Sequence, residues 1–212
     1  MRWALASTLN IDKLKKGSLL DLFFYNRGMH NLILIAGDLA SGKSTLAASL
    51  SESLNIPFLT KDSLKEIACD AVGFSNREEN RRLSIAAVNS MIYVFEQSAK
   101  VGQDMILEAN FRSDEMLKIK QLCDEYSYNV VLIGLTGEIN LLYQRFLDRL
   151  PNRHPAHTSA NLNYSLERFA SYIEEIRNED MLFPVNYIDM SELDEDEVTD
   201  KALTIISNQL GL

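Results

Sequence analysis

Residues 31–45, with the sequence NLILIAGDLASGKST, constrain the fold of this chain more than any other stretch. Residues 32–36 form a short apolar run that predicts a buried parallel strand, and the residues from Gly42 onwards, through LAASLSESL, predict the start of a helix. Two glycines lie in the loop between them. A strand, a glycine-containing loop and a helix in this order favour an α/β fold built on a parallel sheet.

The loop fills the pattern G-x-x-x-x-G-K-[ST] completely, and this pattern is typical of loops that wrap a polyphosphate. Its glycines allow backbone angles and close approaches that a Cβ would prevent, so successive N–H groups turn inward. We expect the lysine to reach the β- and γ-phosphates and the serine to bind Mg²⁺, while the helix start adds the positive end of its dipole. A plain turn would require neither residue type. The predicted nucleotide-binding residues of this stretch are Gly37, Asp38, Leu39, Ala40, Ser41, Gly42, Lys43, Ser44 and Thr45, with Ser44 as a metal ligand.

Composition narrows the class of protein. The chain has 212 residues, of which 46% are hydrophobic and 24% charged, enough for one domain with a substantial core. The net charge of −9 argues against a large binding surface for DNA or RNA. Cys69 and Cys123 are isolated, which favours buried thiols in a reducing compartment. Since no apolar run has the length of a membrane span and the N-terminus lacks a secretory signal, we expect a cytoplasmic protein; the oligomeric state stays open.

Apolar runs and amphipathic stretches alternate along the rest of the chain. We interpret residues 1–30 as an N-terminal extension and residues 31–212 as one domain. Residues 55–60 predict a turn into a short second strand, and further strands are predicted at residues 105–107, 129–135 and 185–189. Helices are predicted at 63–72, 77–100, 113–126, 138–150, 163–178 and near the C-terminus. Right-handed crossovers place the carboxyl ends of parallel strands at one edge of the sheet. We therefore expect Asp62, which follows the second strand, to lie beside the glycine loop.

Polar side chains also follow the third strand and begin the long helix. Glu108, Asn110 and Arg112 lie at the end of the third strand. Three arginines, at 77, 81 and 82, cluster at the start of the helix, where cations oppose the helix dipole. This placement favours an anionic acceptor near Arg81, and an exposed helix start is the alternative.

A flap rich in proline and basic residues, PNRHPAHTSA, follows the fourth strand and its helix. Arg145, Arg149 and Arg153 recur there at four-residue intervals, and we expect residues of about 145–161 to form a mobile lid whose guanidinium groups reach the phosphates. An exposed helix face is the alternative for the first two. His154 and His157 have the spacing H-x-x-H, but no third ligand lies nearby, so solvated lid residues are favoured over a zinc site.

Taken together, the five strands, the loop after the first and the arginine-rich flap between the fourth and fifth resemble the adenylate-kinase-like P-loop kinases. Within that group, residues of about 31–189 most resemble small ATP-dependent kinases related to the polynucleotide kinase domain, gluconate kinase, chloramphenicol phosphotransferase and zeta toxins. The resemblance implies a three-layer α/β/α P-loop NTPase fold with a five-stranded parallel sheet and a helical lid. It also implies an enzyme that uses ATP and Mg²⁺.

The resemblance further implies roles for single residues. In such kinases an aspartate after the second strand takes the proton from the attacking hydroxyl, and Asp62 matches it; capping the next helix is its alternative role. Lys65 stands where arginine is usual and lacks the bidentate fork, so an acceptor contact there differs in geometry. Glu108 is expected to bind Mg²⁺ or the acceptor, with a salt-bridged strand end as the alternative. The predicted catalytic residues are Lys43, Asp62, Arg149 and Arg153; the predicted acceptor-binding residues are Asp62, Lys65, Arg81, Glu108, Asn110 and Arg112; and Arg145, Arg149 and Arg153 complete the nucleotide site.

The predicted function is transfer of the γ-phosphate of ATP to a hydroxyl of a small-molecule or nucleotide-type acceptor. A nucleotide-binding regulator without transfer activity and a polynucleotide 5′-hydroxyl kinase are the alternatives. Because acceptor specificity lies in variable helices, the sequence leaves the acceptor open.

Overall fold

The strands lie where the sequence predicts them, with small shifts at their ends. The computed structural model describes residues 30–158 and 165–211, and this part of the chain contains nine helical segments and five strands. The strands are β1 (His30–Gly37), β2 (Phe58–Thr60), β3 (Met105–Glu108), β4 (Tyr128–Thr136) and β5 (Val185–Asp189). The predicted N-terminal extension lies outside the described residues except for His30, which opens β1.

The helices alternate with these strands as predicted. They are α1 (Lys43–Leu54), α2 (Lys61–Val72), α3 (Arg77–Val101), α4 (Ser113–Tyr126), α5 (Ile139–Arg149), a 3₁₀ turn (Leu150–Asn152), α6 (Pro155–Thr158), α7 (Leu166–Arg177) and α8 (Glu195–Leu210). Thr60, not Asp62, caps α2, because the Thr60 hydroxyl oxygen accepts from the Ser63 N–H at 3.1 Å. The alternative role of Asp62, capping this helix, is therefore filled by Thr60.

All five strands are parallel and follow the order β2-β3-β1-β4-β5. The central strand β1 alternates its side chains between two buried layers. Ile33 and Ile35 pack with α1, α5, α7 and α8, and Leu32 and Leu34 pack with α3 and α4. The predicted three-layer α/β/α fold is therefore confirmed, with strand carboxyl ends collected at one edge.

The flap after α5 contains regular secondary structure, although its composition predicts a surface loop. Residues 150–158, which we call the lid segment, form the 3₁₀ turn and α6. Ala156 is buried, and its carbonyl oxygen accepts hydrogen bonds from Lys65 of α2 and Asn80 of α3, each at 2.9 Å. The lid segment thus packs on the body of the protein, whereas residues 159–161 of the predicted lid lie outside the described part.

Within the described residues, no helix combines the length and the apolar character needed to cross a lipid bilayer.

The first glycine of the loop has no room for a side chain. Gly37 has a φ of +126°, and a Cβ there would lie 2.1 Å from the carbonyl oxygen of Leu135. We predict that Gly37→Ala lowers the free energy of unfolding by about 3 kcal/mol, since it combines a clash with backbone and a strained φ. Gly42→Ala is the matched control: its φ is +88° but nothing lies within 4 Å of its Cβ, so we expect a loss of about 1 kcal/mol. Urea unfolding measures both, and equal losses would contradict the steric argument.

Candidate active site

The glycine loop joins β1 to α1 and carries a buried lysine. Lys43 opens α1, and its ammonium group donates to the main-chain carbonyl of Asp38 at 2.5 Å. The Ser41 hydroxyl donates to the same carbonyl at 2.8 Å. Burial lowers the pKa of Lys43, while the carboxylates of Glu108 and Asp62 act in the opposite direction. A cation held in a loop at a helix N-terminus is suited to binding an anion.

Two carboxylates lie on the side of the loop that faces β2 and β3. Glu108 is the last residue of β3, and its Oε2 accepts from the Ser44 hydroxyl at 3.0 Å. Asp62 lies in the first turn of α2, where its side chain is 47% exposed. Both line one cavity of about 560 Å³ together with the loop, and we call it the loop cavity. Its lining residues are Leu39, Ala40, Ser41, Gly42, Lys43, Ser44, Thr60, Asp62, Ser63, Glu66, Glu108, Phe146, Asp148, Arg149, Asn152, Arg153, His154 and His157.

The two carboxylates differ in their electrostatic surroundings. Burial raises the pKa of Glu108, and the nearby ammonium of Lys43 only partly opposes this. Burial also acts to raise the pKa of Asp62, but Lys61, Arg153 and Lys43, together with His157 in its charged form, outweigh it, so the pKa of Asp62 lies below its usual value. Asp62 is therefore ionised at neutral pH and available to accept a proton.

The arginines before and within the lid segment approach the loop from the other side. Arg153 lies 3.9 Å from the Asp62 carboxylate, and its guanidinium carbon is 5.8 Å from the centre of the Phe146 ring. Arg149 is exposed and lines the loop cavity beside it. Arg145 is half-buried and contacts the sulfur of Met190 at 3.2 Å.

A second cavity, of about 450 Å³, opens on the α8 side of the glycine loop. We call it the α8 cavity; it contains Arg145, Arg149 and the predicted residue Thr45. Most of its wall is apolar, and its lining residues are Ala40, Ser41, Gly42, Thr45, Leu46, Arg145, Asp148, Arg149, Met190, Leu193, Asp194, Glu195 and Val198. Because the two cavities share residues of the loop, a ligand bound on the loop can extend into both.

The remaining predicted acceptor residues lie outside both cavity linings. Lys65 is buried beneath the lid segment, with its ammonium on the Ala156 carbonyl, so it anchors this segment. Arg81 is exposed on α3. Asn110 and Arg112 line a separate cavity of about 50 Å³, and Arg112 lies 3.7 Å from the Glu179 carboxylate.

The sequence does not predict the ion pair that a loop carboxylate, Asp38, forms with an arginine outside the loop, Arg177, whose side chain is 39% exposed. The Asp38 side chain is fully buried, and the Arg177 guanidinium donates to both its oxygens, at 3.0 and 2.5 Å. The Gly137 N–H donates to the same carboxylate at 3.1 Å. An acidic residue inside the loop was a signal that a cation must lie near, but no spacing in the sequence identifies Arg177, which ends α7. Asp38 therefore contributes to loop shape through its side chain.

The two histidines of the H-x-x-H pair, which we expected to be solvated, instead contact acids of α2. The His157 side chain is only 8% exposed; its Nε2 lies 2.9 Å from Glu66 and its Nδ1 lies 3.9 Å from Asp62. His154 Nε2 lies 3.0 Å from Asp70. Among the described residues, no group of three or more His, Cys, Asp and Glu side chains is arranged to hold a metal ion. The pair therefore joins the lid segment to α2.

The sequence model of one protein family, described as Zeta toxin, matches residues 21–193. The chain belongs to the zeta toxin family. This assignment agrees with the resemblance inferred from the glycine loop and the arginine-rich flap. No curated protein sequence gives a significant match.

Solved structures extend the comparison of this zeta toxin family member. A protein from Chloroflexus aurantiacus j-10-fl, provisionally assigned as a kinase, is 25% identical, with a TM-score of 0.68 over 84% of this chain and 98% of that chain. Shikimate kinase from Bacteroides thetaiotaomicron is 15% identical, with a TM-score of 0.52 over 86% and 99% of the two chains. The APS kinase of Mycobacterium tuberculosis, solved with AMPPNP and APS, is 13% identical, with a TM-score of 0.54 over 84% and 98%. The last two likenesses establish the fold alone, and this fold is that of the P-loop kinases.

The Asp38–Arg177 pair makes a testable contribution to stability. We predict that Arg177→Met lowers the free energy of unfolding by about 3 kcal/mol, because it leaves the buried Asp38 carboxylate without its cation. In the double variant Asp38→Asn/Arg177→Met no buried charge is left unpaired, so its loss is expected to be smaller than the sum of the two single losses. Denaturant unfolding of the four proteins measures the coupling; strictly additive losses would show that the pair is not coupled.

Proposed function

We propose that this protein is a Mg²⁺-dependent phosphotransferase that moves the γ-phosphate of ATP to a hydroxyl of a small acceptor. One observation carries the proposal: the loop lysine, its serine and the carboxylates of Asp62 and Glu108 line a single cavity. Membership of the zeta toxin family and the fold of P-loop kinases support a phosphotransferase.

In the proposed mechanism the glycine loop binds the triphosphate and Lys43 neutralises the charge that develops on the transferring group. Phosphoryl transfer passes through a loose and highly charged transition state, so positioning and charge neutralisation supply most of the catalysis. The guanidinium groups of Arg149, at the end of α5, and Arg153, in the lid segment, line the loop cavity and add positive charge there. The α8 cavity, with its apolar wall, accommodates the nucleoside part.

Asp62 acts as the base in this proposal. Its pKa lies below the usual value because neighbouring cations outweigh burial, so the carboxylate is ready to accept the proton of the attacking hydroxyl. The phosphorus–oxygen bond to ADP breaks as the bond to the acceptor oxygen forms. The proton of the hydroxyl passes to the Asp62 carboxylate.

Ser44 and Glu108 fit a magnesium ion in their chemistry. Both are hard oxygen ligands, and their side chains lie 3.0 Å apart in the loop cavity. Magnesium bound there would offset the charge of the β- and γ-phosphates during transfer. A cation next to Glu108 would also favour its ionised form over the protonated form that burial favours.

The wall opposite the loop favours a polar acceptor of low negative charge. Thr60, Ser63 and Glu66 line this side of the loop cavity and supply hydroxyl and carboxylate oxygens. Oxygen acceptors of this kind suit the hydroxyl groups of a small molecule. With a net charge of −9 for the chain, they do not suit a polyanionic strand.

Two substitutions separate binding from transfer. We predict that Lys43→Ala abolishes ATP turnover, whereas Asp62→Asn keeps ATP affinity within about twofold but lowers transfer by about 10³-fold, in the range of a lost general base. Lys120→Ala on α4, where the lysine side chain is 40% exposed and lies outside the cavity linings, is the control for loss of a lysine. Calorimetric titration with ATP and phosphate transfer to a panel of hydroxyl metabolites measure the two effects. An equal loss of ATP affinity in both variants would contradict the division of roles and leave an ATP-binding protein without transfer.

The magnesium assignment has its own test. We predict that Glu108→Gln and Ser44→Ala each raise the Mg²⁺ concentration for half-maximal turnover by about tenfold or more, since each removes an oxygen that holds the ion. Chelation of Mg²⁺ is expected to stop turnover in the unaltered protein. A Mg²⁺ dependence that neither substitution changes would place the ion elsewhere.

A further inference from the structure

Helix α2 presents a row of acids to the lid segment. Asp62, Glu66 and Asp70 recur at four-residue intervals and so lie on one face of the helix. His157 faces the first two, with Nδ1 3.9 Å from Asp62 and Nε2 2.9 Å from Glu66, and His154 contacts Asp70 at 3.0 Å. The imidazole of His157 therefore lies between the proposed base and a second carboxylate one turn along the helix.

The main chain beside His157 is fixed by contacts from two helices. The carbonyl of Ala156, the preceding residue, accepts hydrogen bonds from Lys65 and Asn80, each at 2.9 Å. The His157 N–H donates to the carbonyl of His154 at 2.9 Å. These bonds, together with an imidazole that is only 8% exposed, hold the ring against α2.

The hydrogen-bond partners decide which nitrogen carries the proton. A carboxylate only accepts, so Nε2 of His157 donates to Glu66. In the neutral ring, Nδ1 then presents a lone pair towards Asp62. In the protonated ring, Nδ1 presents an N–H, and the imidazolium pairs with the Asp62 carboxylate.

We propose that His157 is a positioning residue for Asp62: the charge of its ring sets whether the Asp62 carboxylate is held in an ion pair or is available to take a proton. This rests on the proposed function, in which Asp62 is the base. With a neutral imidazole the Asp62 carboxylate faces one cation of the lid segment, Arg153 at 3.9 Å, instead of two, and accepts the hydroxyl proton more readily. With an imidazolium at the same place Asp62 is held in an ion pair and is a weaker base.

The surroundings of the ring favour the neutral form at neutral pH. Burial lowers the pKa of His157, while Asp62 and Glu66 act to raise it and the cations of Arg153 and Lys65 act to lower it further. As the pH falls through this pKa, the ring gains its charge and the rate is expected to fall. Removing the ring should therefore shift the acid limb of the pH–rate profile to lower pH, where the fall in rate is due to protonation of Asp62 alone.

The placement of His157 between Asp62 and Glu66 is tested by the pKa of its ring, measured by ¹H–¹⁵N NMR on the full chain. We expect Asp62→Asn and Glu66→Gln each to lower it by about one unit, because each removes an anion that stabilises the imidazolium. Asp70→Asn is the matched control on the same helix face: it removes the acid that contacts His154 and should leave the pKa of His157 in place. If the pKa of His157 is the same in Asp62→Asn and Glu66→Gln as in the unaltered chain, the proposal is wrong.

The role in catalysis is tested by ADP release from ATP without added acceptor, where water takes the place of the hydroxyl. His157→Asn keeps a polar group near the Nδ1 position beside Asp62, and His157→Gln keeps one near the Nε2 position beside Glu66. In both variants we expect the pH–rate profile to lose the acid limb due to His157, while the KM for ATP is unchanged. We also expect His157→Gln to lower kcat about tenfold more than His157→Asn. Asp70→Asn should leave the pH profile in place.

The outcomes separate this inference from the proposed function. An acid limb that stays at the same pH in both His157 variants, with normal turnover of the unaltered chain, overturns the role of His157 alone. An unaltered chain that neither releases ADP nor transfers phosphate overturns the proposed function and this role with it. A purely structural contribution of His157 would change protein yield or unfolding but not the pH dependence.

Discussion

The pairing of β1 with both β3 and β4 is the constraint on which the rest of the structure depends. The register places Ile35 beside Glu108 and Gly37 beside Leu135, so the carboxylate at the end of β3 and the start of the glycine loop reach the same level of the sheet. The Asp38 N–H then continues the β1–β4 ladder by donating to Leu135 at 2.8 Å. A chain whose ligand groups meet at a sheet edge needs this register, because a shift by one residue would turn every side chain to the opposite face.

Charge buried beside this edge is the second organising feature. Asp38, Lys43 and Glu108 are each less than one-tenth exposed, and each has a partner that compensates for its lost hydration. Asp38 has the Arg177 guanidinium, which ties the end of α7 to the glycine loop. Lys43 and Glu108 line the loop cavity, where their partners are a main-chain carbonyl and the Ser44 hydroxyl. The Asp38 pair is therefore suited to stabilise the fold, and the proposed chemistry uses Lys43 and Glu108.

In the proposed function the lid segment connects the nucleotide side of the site with the acceptor side. Arg153 of this segment lines the loop cavity, while Ala156 and His157 are held on α2, the helix that carries Asp62. In that proposal the acceptor fits between a charged loop and a wall of acids and histidines. Because this wall is formed by α2 and the lid segment and not by the sheet, it would let a widely shared fold select its acceptor.

Local patterns in the sequence determined the α/β class, the approximate positions of the strands and main helices, the glycine loop and the placement of Asp62 and Lys43 in one cavity. Each of these follows from the period of apolar residues or from strand order. The Arg177 partner of Asp38, the burial of His157 and the use of Lys65 as an anchor for the lid segment were decided only by the tertiary structure. In those cases the two groups are 139, 95 and 91 residues apart, counting from Asp38 to Arg177, from Asp62 to His157 and from Lys65 to Ala156. Hydrophobic periodicity predicts which face of a helix is buried, but long-range packing determines which charged side chains form pairs.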